Sequence, residues 1–134
     1  MNSKLYLTIA GIIAILYGIG FVLIPEKMGE LYGVPYDPHS VLNIQFFGAS
    51  LLGLGVIFWL ARDFQEWAAV RGVLIGAVVG DVVGGLVNTW GVTKGLFNSL
   101  GWSSTILYVL LLAGALYCLY AGSQAATTKS LGRA

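Results

Sequence analysis

Residues 5–24 read LYLTIAGIIAILYGIGFVLI, twenty positions without a charge, closed by Pro25. At 1.5 Å per residue, a helix of that length is about 30 Å long, the thickness of a bilayer's hydrocarbon core. A helix on a soluble domain keeps a polar stripe for water, and this stretch has none. Lys4 precedes it, as in a secretory signal, but a signal's apolar region runs only about 7–15 residues and ends in a small-residue cleavage site. This one ends in Ile-Pro-Glu. The stretch is therefore expected to stay in place as a first membrane span.

Three further stretches repeat the pattern. Residues 44–61 are closed by Arg62 and Asp63, residues 68–92 hold Arg71 near their start and Asp81 in their middle, and residues 102–121 precede the polar tail GSQAATTKSLGRA. Only 10% of the chain is charged, against about 25% in soluble domains, and mean hydropathy is +0.84. Four spans and their loops use all 134 residues. The expected fold is all-α: a single integral membrane domain, an up-down four-transmembrane-helix bundle with Gly-rich packing and a short outer interfacial helix. The bilayer is the first partner this implies. Net charge is +1 with no basic cluster, so nucleic acid is not an expected partner. Cys118 is the one cysteine and His39 the one histidine, which excludes an internal disulfide and a bis-histidine haem within the chain. No cofactor and no metal is expected.

Orientation follows from Lys and Arg. Lys4, Arg62, Arg71, Lys129 and Arg133 fall on the side of both termini, while Lys27 and Lys94 fall opposite. The positive-inside rule puts both termini in the cytoplasm, with the bacterial inner membrane as the expected location. Tyr6, Trp59, Trp67, Trp90 and Trp102 lie near span ends, where amphipathic rings favour the headgroups. The outer loop, residues 25–43, opens with Pro25 and Glu26, which suit a first helical turn. Met28, Leu31 and Tyr32 then share a face, and Gly33 can stop the helix before a turn through Pro35, Asp37 and Pro38. Residues 122–134 are left as a cytoplasmic tail.

Asp81 is the one acid well inside a span. A carboxyl group there costs a few kcal/mol, so it is expected to face the bundle interior with partners. Helical spacing puts Leu74, Ala77, Gly84, Gly85 and Asn88 on its face. Counted from the outer span ends, Tyr17, Ser50, Asp81 and Tyr108 all come about 9–14 Å deep. They are the candidate polar layer, with Asn88 and Gln45 above it. The layer is either a hydrogen-bonded clasp that sets helix register or a pocket for a small ligand or a proton.

Glycine supplies a second pattern. Gly72, Gly76, Gly80 and Gly84 make three consecutive GxxxG steps, a ridge where a neighbouring backbone can approach closely. Ala49/Gly53 and Gly114/Cys118/Gly122 repeat it more weakly. The pattern does not say whether that neighbour belongs to the same chain. His39 reads as a solvated loop histidine and Cys118 as a small packing residue. Arg71 is expected to snorkel or to pair with Glu66 or Asp63. No nucleophile-base-acid set, phosphate loop or metal-ligand cluster is legible, so no catalytic residue is expected and an enzyme is not.

The order LYGIGFVLIPEKMGELYGVPYDP (16–38), FFGASLLGLGVIFWLARD (46–63) and a Gly-rich third span resembles small four-helix bacterial membrane proteins distantly similar to DoxX-like proteins. The resemblance implies helix ends and close packing and carries over no catalytic residue. Small multidrug-resistance transporters also have four short spans and a membrane carboxylate, but theirs is in the first span and Asp81 is in the third. Quinone reductases of vitamin K metabolism use paired cysteines, which a lone Cys118 cannot supply. The expected function is a non-catalytic accessory or structural subunit of a membrane assembly, bound to other subunits or to itself. The alternative is a small-molecule or proton-coupled transporter, or a hydrophobic-ligand binder, using the Asp81 layer.

Overall fold

Asn2 starts the first helix by accepting the Leu5 amide at 2.8 Å, which satisfies one of the free donors of the opening turn. In the computed structural model, which describes residues 2–131, α1 runs Ser3–Leu23 and ends where Pro25 begins α2 (Pro25–Leu31). Pro25 sits at the first turn of α2 with Glu26, as the sequence predicts. Gly33 then turns the chain at φ +75°, and Val34 donates back to the Gly29 carbonyl at 2.9 Å. Gly95 repeats the device at φ +72°, with Leu96 donating to Gly91 at 2.9 Å, and so ends α4 (Trp67–Thr93). The remaining helices are α3 (Pro38–Ala61) and α5 (Gly101–Leu131). The described chain is all-helical, and α1, α3, α4 and α5 are long and apolar enough to cross a membrane.

Two boundaries differ from the sequence reading. The helix that carries the second apolar stretch starts at Pro38, ahead of residue 44, because the expected turn is itself a helix start. Asp37 accepts the Ser40 amide at 2.9 Å and its hydroxyl at 3.2 Å, and Pro38 takes the first helical position. The polar tail is helical as far as Leu131, since α5 continues to that residue. Between Gly122 and Leu131 stands neither glycine nor proline, so nothing stops the helix. Arg133, counted for orientation, lies outside the described residues, as does the side chain of Lys129.

The helices pair as neighbours in two sets, α1 with α3 and α4 with α5. Contacts between the first two run in opposite directions. Gly11 faces Gly55, and seven residues on, Gly18 faces Gly48, seven residues back. A Cβ built at Gly18 would stand 2.8 Å from the Leu52 nitrogen and 2.9 Å from the Gly48 carbonyl oxygen, while one at Gly48 would stand 3.0 Å from the Gly18 oxygen. Gly55 meets the Gly11 oxygen at the same 3.0 Å. Each missing side chain is thus replaced by a partner's carbonyl, the geometry of Cα–H···O contacts worth perhaps 0.5–1 kcal/mol each.

The sets meet in a small core of Tyr6, Leu7, Phe58, Ala61, Val70, Leu74, Ala115 and Cys118, drawn from all four long helices. Tyr6 belongs here, at 3% exposure, so its ring packs inside the protein rather than facing outward from the span end. Outside the core the surface is apolar: Leu23, Phe46, Leu86 and Leu110 are all more than 60% exposed. A surface of that kind suits lipid, not water.

Charges gather at the ends. Lys4 Nζ reaches Asp63 Oδ1 at 2.7 Å, and Arg62 Nε reaches Asp63 Oδ2 at 3.3 Å while its guanidinium lies 3.4 Å over the Trp59 ring. Asp63 is therefore occupied by Lys4 and Arg62, and Arg71 makes no ion pair among the described residues. Hydrogen bonds from Lys4 and then Arg62 hold the Asp63 carboxyl below its ordinary pKa. The link is present above the usual carboxylate value of about 3.9 and is lost as pH falls through the lowered folded value. A carbon-NMR titration of Asp63 is expected to show that low midpoint, and Lys4→Ala to raise it toward the ordinary value.

The two glycine environments give a paired test. Gly18→Ala forces two backbones apart and is expected to cost about 1–3 kcal/mol. Gly76→Ala, where a Cβ meets nothing within 4 Å, is expected to be neutral or stabilising by up to about 1 kcal/mol. Denaturant unfolding in detergent micelles measures both, and equal effects would sink the distinction.

Candidate functional site

Among the polar groups inside the spans two kinds stand out, those that tie helices together and those left without a partner. Asn88 on α4 is of the first kind. Its Nδ2 donates to the Gly101 carbonyl at 2.8 Å and to Thr105 Oγ1 at 2.8 Å, both on α5. Thr89 extends the clasp, lying 3.2 Å from Thr105 and donating to Gly85 at 2.7 Å. Gln45 does the same for the other pair, donating from α3 to the Val22 carbonyl of α1 at 3.2 Å.

Asp81 is of the second kind. Its neighbours on the helix face are as the spacing predicts: Leu74 and Ala77 are buried, and Gly84 and Gly85 lie against Tyr108. The carboxyl itself is part-buried, and its Oδ2 is enclosed with no hydrogen-bond partner. Tyr108 lies one turn away, in a slot on the same face. A Cβ at Gly84 would meet Tyr108 Cε1 at 2.7 Å, Cζ at 2.8 Å and the hydroxyl at 3.0 Å, and one at Gly85 would meet Tyr108 Cβ at 3.3 Å. The ring thus lies along the two glycines with its hydroxyl toward the turn that carries Asp81, and it is in electrostatic reach of that carboxyl.

Ser50 stands apart from this layer. It is exposed, and its hydroxyl donates to Phe46 on its own helix at 3.0 Å. The reason is rotational. Depth along a helix says nothing about direction around it, and Ser50 is about 200° from Gly48, which faces α1. Tyr17 is part-buried beside Phe21, with ring centres 6.0 Å apart, and in reach of Tyr32. It belongs to an outer aromatic cluster in which Phe21 also meets Phe47 at 5.3 Å and Tyr32 meets Phe97 at 6.2 Å. Tyr6, in reach of Asp81 from α1, is the member that depth counting missed. It is about three turns deeper toward the other end than Tyr17, and no local signal marks it.

The outer cap is a second feature not visible in the sequence. Asn98 donates its amide to the Tyr32 carbonyl at 2.9 Å and its side chain to Leu31 at 2.8 Å, and the Tyr32 hydroxyl lies 3.0 Å from Ser104. These bonds sew α2 to the start of α5. Beside them, a cleft of about 420 Å³ opens between α2 and α3, lined by Glu26, Glu30, Val34, Tyr36 and Ile44. His39 is exposed and remote from Asp81 in sequence and height. Among the described residues, no three His, Cys, Asp or Glu side chains are grouped to hold a metal.

The glycine row divides. A Cβ at Gly72, Gly76 or Gly80 would meet nothing within 4 Å, and only Gly84 packs within the chain. Each four-residue step turns about 40° around the axis, so three steps carry the row from the outer face of α4 to α5. Gly53 and Ala49 on α3 are also exposed, whereas Cys118 is buried and Gly122 receives the Trp67 ring.

Asn88→Ala is expected to lower stability by about 1–3 kcal/mol, because it removes both hydrogen bonds by which Asn88 ties α4 to α5. Unfolding in micelles measures it. A loss as small as that of Ser50→Ala would remove Asn88 from the clasp.

No protein-family model matches this chain, and no curated protein or solved structure matches it either.

Proposed function

We propose that this chain is a small structural subunit of a membrane assembly, an up-down four-helix bundle with both termini in the cytoplasm of a bacterial inner membrane. The observation that carries the reading is the open row Gly72, Gly76 and Gly80 on α4, flanked by exposed Ile75, Val79 and Val83. In lipid there is no hydrophobic gain from burying one apolar side chain against another, so association depends on close packing and hydrogen bonds. Small residues in a row with branched neighbours provide a groove where a second helix backbone packs closely. Ala49 and Gly53 offer a shorter version on α3. The chain contributes contacts and no chemistry to the assembly, in keeping with its short loops.

The open row also makes the reading testable without harming the fold. The tagged protein, expressed in its own host and extracted in mild detergent, is expected to come out in a complex heavier than itself. Gly76→Leu with Gly80→Leu is expected to release the chain from that complex while leaving its melting temperature in micelles within a few degrees of the parent, since a Cβ at either position meets nothing within 4 Å. A monomer from the unaltered protein, or a complex indifferent to both leucines, overturns the assembly role.

A further inference from the structure

We propose that Asp81 and Tyr108 form an internal site for a monovalent cation, either a proton or an alkali ion such as Na+. The first observation is the enclosed, unpartnered Oδ2 of Asp81 midway along a membrane helix. Buried polar atoms nearly always have partners, and a carboxylate in hydrocarbon without one is strongly disfavoured. The second is charge. The groups facing Asp81 are Tyr6 from α1 and Tyr108 from α5, with Cys118 nearby on α5, and none of them is a cation. The only histidine of α3, His39, is in its first turn at the outer end. Lys4 and Arg62 are taken by Asp63, and Arg71 is ten residues away along α4, about 15 Å. Asp81 is in no ion pair among the described residues, so the countercharge comes from outside the chain.

The third observation is that the second oxygen ligand is built in. Gly84 and Gly85 leave the slot that lays the Tyr108 ring against α4, and its hydroxyl makes no hydrogen bond among the described residues. A phenol hydroxyl there can donate to a carboxylate or offer a lone pair to a small hard cation, the oxygen chemistry such ions require. Asp81 as a residue is only part-buried, although its Oδ2 is enclosed. The reaction is binding alone: the carboxylate takes up H+ to become the acid, or holds the alkali ion, and gives it back. The site is independent of the assembly role, and either can fail without the other.

Dicyclohexylcarbodiimide tests it, because this apolar reagent adds only to a carboxyl group that carries its proton. The whole protein in mild-detergent micelles is labelled across pH 5–8 with Na+ or choline as the added cation, and adducts are located by peptide mass. The expected result is an adduct on Asp81, decreasing as pH rises and absent from Asp81→Asn. Slowing by Na+ but not by choline assigns the alkali ion, and labelling indifferent to Na+ assigns the proton. Tyr108→Phe, which keeps the ring in its slot, is expected to move the pH midpoint by about one unit or to weaken Na+ protection about tenfold. No adduct on Asp81 at any pH, with or without Na+, overturns the site. An adduct unchanged in midpoint and protection by Tyr108→Phe overturns the two-residue site.

Discussion

Two helix backbones touch at Gly11, Gly18, Gly48 and Gly55, and the arrangement of the first half of the chain depends on that contact. Lipid tails are as apolar as leucine, so the hydrophobic effect that gathers a soluble core is missing between membrane helices. What remains is dispersion, which needs close approach, and the weak bonds that close approach permits. Glycine serves both ends here, since removing the side chain lets the partner's carbonyl occupy its place. The spacing matters as much as the residue. Seven residues turn a helix to within about 20° of a whole number of turns, so Gly11 and Gly18 stay on one face, as do Gly48 and Gly55.

The second helix pair reaches the same end by other means. Between α4 and α5, glycine does not admit a backbone but an aromatic ring: Tyr108 lies on Gly84 and Gly85, Phe97 packs beside Gly91, and Trp67 packs on Gly122. Asn88, Thr89 and Thr105 then fix the register with directional bonds, which retain their strength where water does not compete. The two pairs join through a small core near the Lys4–Asp63 link at one end, and through Asn98, Tyr32 and Ser104 at the other. Between these joints lies Asp81, where the interior is least completely satisfied.

The same residue type therefore has four physical roles in this chain. Gly33 and Gly95 adopt positive φ to end helices, Gly18 and its partners admit a backbone, Gly84 admits a ring, and Gly76 faces outward with nothing against it. The first role is set by local geometry and the other three by what stands opposite.

That difference separates what the sequence by itself determined from what the tertiary structure decided. Four long apolar helices, the proline that ends the first, the short helix at Pro25 and its stop at Gly33 all follow from local chemistry, because length, hydropathy and capping act within a few residues. The helical face of Asp81 follows too, since periodicity is a property of one helix. Rotation of one helix against another does not. Depth counting aligned Ser50 with Asp81, yet α3 turns Ser50 outward to put Gly48 against α1. The same counting passed over Tyr6, which reaches the interior from the end of its helix. The GxxxG row looked like one ridge, and its 40° drift per step splits it between an inner and an outer face. Side-chain partners across a membrane bundle are chosen by the mutual rotation and register of helices far apart in sequence, and only the folded chain contains that information.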